Sequence, residues 1–301
     1  MSDVHAVGLI GLGNMGAAVA SRLVRAGRLI GFDLDAERRA AAEADGVEAV
    51  DTLEAFAQCR IVFLSLPTPA ISLAVARDLS AILAPGSIVV ETSTVNPDDM
   101  RRMAALLGAK DIRSTDVAIL SGVGGMSAGT SILLAGGKDD DLAELAPVLG
   151  VMSSSVMRFG PVGTGMAAKV VNNAVAHAVM VVLAEAAAIS ERSGIDLTQM
   201  LDLLQDPEAG LMRPLTHRMR ERVMNRDFAG GMPTEAARKD SVLALALAQT
   251  LGVPLFAIQG AHSAYELAMA AGLARNDYAS IATLWDEWSG TSERKDDHGR
   301  R

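Results

Sequence analysis

Apolar residues fall along this chain of 301 residues in two regimes. Up to about residue 137 they come as short, unalternating runs rich in β-branched side chains, at 4–10, 28–33, 61–66 and 87–91, with helical spacing between them at 51–57, 70–83 and 97–107. Another strand is expected around Asp116 ahead of a glycine-dense segment, and a further one over 130–135, stopped by Gly136-Gly137. Strands apolar on both faces and alternating with helices predict a parallel sheet covered on both sides. Beyond Gly194 the spacing is helical throughout. Asp196-Leu-Thr-Gln199 resembles a capping box, Leu197, Met200, Leu201 and Leu204 recur a turn apart, and helices are predicted over 211–224, 234–251, 256–271 and 281–288.

Between the regimes, 166–193 runs without Gly or Pro and would make one helix of roughly 42 Å. Thr164 is its expected N-cap and Gly194 its C-terminal stop. Residues 174–183 are apolar all round, the pattern of a helix buried on every side, and His177 is read as a core histidine with a satisfied partner. The uninterrupted apolar run is shorter than the roughly 18 residues of a membrane span, and Lys169, Asn172, Asn173, His177 and Glu185 break it up. Lys169 and Asn173 project from one face a turn apart. Two readings stay open for them: a snorkelling lysine beside a capping asparagine, or a functional pair.

Half of the residues are hydrophobic, enough for a large core and two domains. The net charge of −9 without a basic cluster argues against nucleic acid. Cys59 is the single cysteine, so a reducing compartment is expected, and the Met-Ser-Asp-Val-His start has no secretory pattern; the expected location is the cytoplasm. The polar stretch 292–301 reads as a flexible tail. No metal site is expected.

Chemistry enters at Gly11-Leu-Gly13-Asn14-Met15-Gly16, which follows the first strand and opens a helix. In that context Gly11 makes the tight turn, Gly13 admits a pyrophosphate close to the backbone, and Gly16 lets helix and strand pack, with free helix N–H groups facing the phosphates. The second strand ends in Asp33, at the spacing of the carboxylate that binds an adenosine ribose diol, so NAD is favoured, while Arg38 and Arg39 leave NADP open. Leu66-Pro67 and Ser93-Thr94 follow later strands and should line the cofactor, unless they are turn residues only. The glycines of 116–125 either close on a ligand or turn a corner.

Taken in order, the Gly11–Gly16 turn with Asp33, the segment 116–130, Gly163-x-Gly165-x-x-x-Lys169-x-x-x-Asn173 and Lys239-Asp240 resemble the β-hydroxyacid dehydrogenase family over about residues 4–290. The resemblance implies a Rossmann-type NAD-binding domain over 1–162 and an all-α domain over 163–291 that begins with the long linking helix. It implies that Lys169 is the catalytic acid/base, that Asn173 orients it or the substrate, and that Lys239 approaches the nicotinamide. Ser121, Gly122 and Asn173 would hold the substrate, an implied small 3-hydroxy acid. Leu120 stands where the family usually has serine, so a substrate with some apolar bulk is expected and Ser121 takes over the missing hydroxyl. A homodimer or homotetramer is expected. The alternatives are an imine reductase, which typically lacks the lysine, a short phosphogluconate-type dehydrogenase, and an NAD-sensing or scaffold protein.

Overall fold

The computed structural model describes residues 6–290, so residues 4–5 of the expected first strand and the expected tail over 292–301 lie outside the described residues. The chain divides into two compact units, Met1–Ala174 and Val175–Arg301. The division falls inside the long helix, downstream of the 162/163 boundary read from the sequence.

The first unit is built on one eight-stranded sheet of order β3-β2-β1-β4-β5-β6-β7-β8. Its strands are β1 Ala6–Ile10, β2 Leu29–Phe32, β3 Glu48–Val50, β4 Cys59–Leu64, β5 Ile88–Glu91, β6 Arg113–Leu120, β7 Ile132–Gly136 and β8 Ser155–Gly160. Pairing is parallel from β3 across to β6, and β8 is parallel to β7, but β7 runs antiparallel to β6. The wholly parallel sheet expected from the pattern is therefore corrected at this point. The link from β6 to β7 is shorter than the dozen or more residues a parallel crossover needs, so the chain folds straight back.

Helices cover both faces. On one side α1 Asn14–Leu23, the short α5 Val123–Ala128 and α6 Asp139–Met152 seal Leu9, Phe63, Val90, Val117 and Leu133. On the other, α3 Pro69–Ile82 and α4 Pro97–Gly108 seal Ile10, Val62, Leu64, Val89 and Ala118. Between β2 and β3 lies α2 Ala36–Ala44, capped by the Asp35 carboxylate, which accepts the Glu37 N–H at 2.9 Å. Thr68 and Pro69 start α3, and an Asn96–Asp99 capping box starts α4, so each helix begins just beyond a strand end. Among these elements, the three-residue β3 and also α5, α6 and β8 were not anticipated. α5 sits in the glycine segment read as loop, α6 carries Pro147 within it, and β8 has none of the buried apolar run that marks a central strand.

The long helix α7 spans Thr164–Arg192. Two expectations about it are corrected. The Thr164 hydroxyl donates to the Pro161 carbonyl instead of capping; the cap comes from β6, where Asp116 Oδ1 accepts the Gly163 N–H at 2.6 Å and Oδ2 the Met166 N–H at 2.7 Å. The helix is also not buried on every side: Val171, Val175 and Met180 are 63, 57 and 62% exposed, and His177 is exposed as well. By length and hydropathy α7 could cross a membrane, and it is the described helix that could.

The second unit is helical: α8 Leu197–Gln205, a wider π-helical stretch Pro214–Val223, α9 Thr234–Leu251, α10 Ala257–Ala270 and α11 Ala282–Trp288. Asp196 caps α8 through the Gln199 N–H at 3.0 Å. Glu185 of α7 caps α10, its two oxygens accepting the N–H groups of Phe256, Ala257 and Ile258. Asp277, fully buried, lies 3.2 Å from the Arg218 guanidinium and 3.5 Å from that of Arg222, and accepts the N–H groups of Met232 and Ala279.

Candidate active site

The sheet order reverses between β1 and β4, and a cleft of about 870 Å³ opens there, beyond the carboxyl ends of the strands. Its floor is the turn after β1. Gly11 has φ +96°, and a Cβ there would sit 2.1 Å from the Ser65 carbonyl oxygen. A Cβ on Gly16 would lie 2.0 Å from the Gly11 carbonyl, so α1 can start this close to the turn only with glycine. A Cβ on Gly13 would meet nothing nearer than the Arg38 guanidinium at 3.5 Å, so the protein itself does not require glycine there. The space in front of Gly13 is open toward the cleft, as a pyrophosphate cradle requires.

Asp33, just past β2, is held by the Leu12 N–H at 2.8 Å on Oδ2 and the Asp35 N–H at 3.0 Å on Oδ1, with Arg38 at 3.6 Å. Burial opposes its ionisation, but those N–H groups and Arg38 outweigh it and keep the carboxyl below its ordinary range. It is thus an ionised acceptor fixed at the mouth of the cleft. Leu34, 89% exposed, and Arg38 stand beside it and also line the cleft.

Opposite, Leu66-Pro67 and Ser93-Thr94 form the wall at the ends of β4 and β5, tied together where the Leu66 N–H donates to Ser93 Oγ at 2.7 Å. Gly11, Gly13, Asn14, Met15, Gly16, Asp33, Leu66, Pro67 and Thr94 all line the one cleft, as does Lys169. The sequence reading missed Ile71, Val75 and Asp78 of α3 on the same wall; their spacing of three and four residues after Pro69 was the available signal.

Lys169 reaches this cleft because Asp116 pins the first turn of α7 to β6. It is half-buried, and burial alone pulls its ammonium below the ordinary lysine range. Asn173, one turn on and half-buried, accepts from the Asn172 amide at 3.5 Å and does not line the cleft. Ser121 and Gly122 also lie outside it. The Ser121 hydroxyl is 2.5 Å from Ser131 Oγ, and Gly122 is the residue from which α5 starts. Leu120 packs half-buried against the core cluster that includes Leu134 and Met166. Lys239 belongs to α9 of the second unit, is 67% exposed and pairs with Asp240 at 2.9 Å.

An open glycine cradle at a helix N-terminus, an ionised acceptor one strand away and a partly desolvated lysine make a site that fits a nicotinamide dinucleotide beside a proton-transferring group. Known proteins agree. Residues 6–163 match the family model of the NAD binding domain of 6-phosphogluconate dehydrogenase, and 163–285 match that of the NAD-binding of NADP-dependent 3-hydroxyisobutyrate dehydrogenase. The 2-(hydroxymethyl)glutarate dehydrogenase of Eubacterium barkeri is 30% identical over 95% of this chain and 96% of its own. The 3-hydroxyisobutyrate dehydrogenase of Mycobacterium tuberculosis, solved with L-serine, superposes with a TM-score of 0.67 at 28% identity over 93% of this chain and 99% of that one. An imine reductase of Myxococcus stipitatus superposes at 0.85 over 93% and 99%, but at 19% identity this likeness is one of fold alone. With both halves matched in order, the chain is an NAD-binding oxidoreductase that belongs to the β-hydroxyacid dehydrogenase family.

Proposed function

We propose that the protein interconverts a small 3-hydroxy carboxylic acid and its semialdehyde or keto acid, with Lys169 as the acid/base. The observation that carries this is a lysine, partly desolvated, on the wall of the nucleotide cleft. When bound, NAD supplies the hydride acceptor. In the oxidative direction neutral Lys169 takes the hydroxyl proton onto Nζ as the C–H hydride leaves and the C=O bond forms; in reverse the ammonium returns that proton. Burial favours the neutral amine and so supports the oxidative role.

Asp33 holds the adenosine ribose, and the free N–H groups at the start of α1 hold the pyrophosphate. Asn173 orients Lys169 or the substrate, Ser121 and the Gly122 backbone receive the substrate carboxylate, and Lys239 serves the nicotinamide end; these assignments rest on the family motif. An imine reductase shares the fold but leaves Lys169 without a role, so it is the weaker reading. The reaction is tested by mixing the protein with NAD and a panel of short 3-hydroxy acids and following NADH absorbance. The expected result is turnover of at least one acid that falls by roughly two to four orders of magnitude in Lys169→Met while NADH binding persists. Near-normal turnover in that variant would return Lys169 to a structural role.

A further inference from the structure

Glu91, the last residue of β5, is fully buried on the face of the sheet that α3 and α4 cover. Its Oε1 accepts the Ser93 N–H at 2.7 Å, and Ser93 Oγ in turn accepts the Leu66 N–H at 2.7 Å. One carboxyl thereby fixes Ser93-Thr94, and through it Leu66-Pro67, two of the segments that wall the cleft. Neither Oε2 nor the fully buried Ser72 Oγ of α3 completes a hydrogen bond among the described residues, although Ser72 lies close enough to pull the Glu91 carboxyl down as a donor. A hydroxyl and a carboxyl oxygen left bare in the same buried neighbourhood are costly to leave unpaired.

We propose that Glu91 is a positioning residue for the nucleotide cleft: its carboxyl bridges Ser72 of α3 to Ser93 and, through Ser93, sets the spacing of the two loops that close on the cofactor. Its neutral form suits the bridge, because Oε2–H can donate to Ser72 while Oε1 keeps the Ser93 N–H. Burial pushes this carboxyl up to about 7, against the weaker pull of Ser93, Ser72 and the Ser93 and Thr92 N–H groups. Strand pairing sets Leu64 of β4 and Asp116 of β6 on either side of it. Asp116 is committed to the start of α7 through the Gly163 and Met166 N–H groups. Asp78 of α3, Lys169 of α7 and, at the mouth, Asp33, Asp35 and Arg38 are the charged side chains that line the cleft. Above the pH at which Glu91 ionises, the neutral bridge gives way to a buried charge with no cation paired to it among the described residues, and hydration of that charge loosens the spacing of the loops.

The inference rests on nucleotide binding in this cleft, and binding itself is the readout. NADH fluorescence titrations would be run on the wild type, Glu91→Gln, Glu91→Leu and Ser72→Ala at pH values about 1.5 units either side of 7. Wild-type affinity is expected to weaken about three- to tenfold at the higher pH. Glu91→Gln keeps an acceptor for Ser93 and a donor for Ser72, so it should bind as the wild type does at low pH and show no pH step. Glu91→Leu should bind weakly at both. If Glu91→Leu does not fold, Ser72→Ala carries the test, since it removes the Oε2 partner and should reduce the pH step. The same pH step in the wild type and Glu91→Gln would overturn the role of Glu91 and leave the cleft as the nucleotide site. A wild type that binds no NADH at either pH would overturn both.

Discussion

Asp33, which lines the cleft, and Glu91, buried behind its wall, lie on opposite sides of the ordinary carboxyl range, and each makes a prediction. Asp33 is kept ionised by the Leu12 and Asp35 N–H groups and Arg38, so it meets a ribose diol as an acceptor and a 2′-phosphate as a like charge. The wild type should give a higher kcat/KM with NAD than with NADP, and Asp33→Ala should narrow the gap; a wild type that prefers NADP would remove Asp33 from the ribose. Glu91 shows the reverse shift. Its folded value of about 7 exceeds the unfolded 4.5, so the native state holds a proton that the unfolded chain releases between those values. That contribution to stability is whole below 4.5 and is lost as pH rises through about 7. The denaturation midpoint of the wild type should fall over this window relative to that of Glu91→Gln; parallel curves for the two would show that Glu91 does not titrate there. Asp33 was legible from its place after a glycine turn and a strand, whereas nothing in Val-Val-Glu marks a buried acid. Its burial and its bond to Ser93 are set by α3 and β4, far away in sequence. Leu120, read as facing substrate, packs half-buried against the core cluster on the α3 and α4 face of the sheet.

At the scale of elements, Asp116 connects the sheet and α7. A carboxylate buried at the centre of β6 has no place in an apolar strand unless both oxygens are used, and both are, by the Gly163 and Met166 N–H groups. Gly136 and Gly165 leave it room: a Cβ on Gly136 would lie 2.6 Å from Asp116 Oδ1, and one on Gly165 2.9 Å from Oδ2. The glycines ahead of Lys169 therefore seat the helix start against a carboxylate, a function invisible until β6 and α7 are brought together. Asp116→Ala would leave two buried donors unpaired, a loss of roughly 2–4 kcal/mol read by urea denaturation. It should also lower kcat at saturating NAD, because Lys169 stands one turn further along. A variant with full stability and full kcat would show that α7 does not depend on this anchor. Element type was legible wherever period and caps agreed, as at Thr234–Leu251 and around the glycine turn of β1. It was not legible at β8, whose exposed residues carry no core pattern, nor in the antiparallel turn from β6 to β7, where the partner strand decides.

For the whole molecule, the open question in the sequence pattern was what buries a helix that is apolar all round. Taking Val171 as the origin, Val175, Met180 and Val181 stand at about 40°, 180° and 280° around α7, so the exposed residues lie on several sides and not along one stripe. All four are between 46 and 63% exposed, and Leu243 and Leu247 of α9 and Leu267 of α10 add exposed apolar surface in the second unit. A helix of this kind needs a cover. Length and hydropathy alone would allow a bilayer, but Lys169, Asn172, Asn173, His177 and Glu185 spread polar groups along the same helix, and Glu185 is already committed to the α10 cap. We propose that the cover is a second copy of this chain, since a two-fold pairing puts the same apolar surface on both sides of the interface. Light scattering after size exclusion should report a dimer or a tetramer without detergent. Met180→Glu with Val181→Glu should shift it toward monomer and lower the thermal midpoint at dilute protein more than at concentrated protein, as expected when stability is linked to association. A wild type that runs as a monomer at every concentration would leave the exposed face of α7 to another partner and would end the self-association reading.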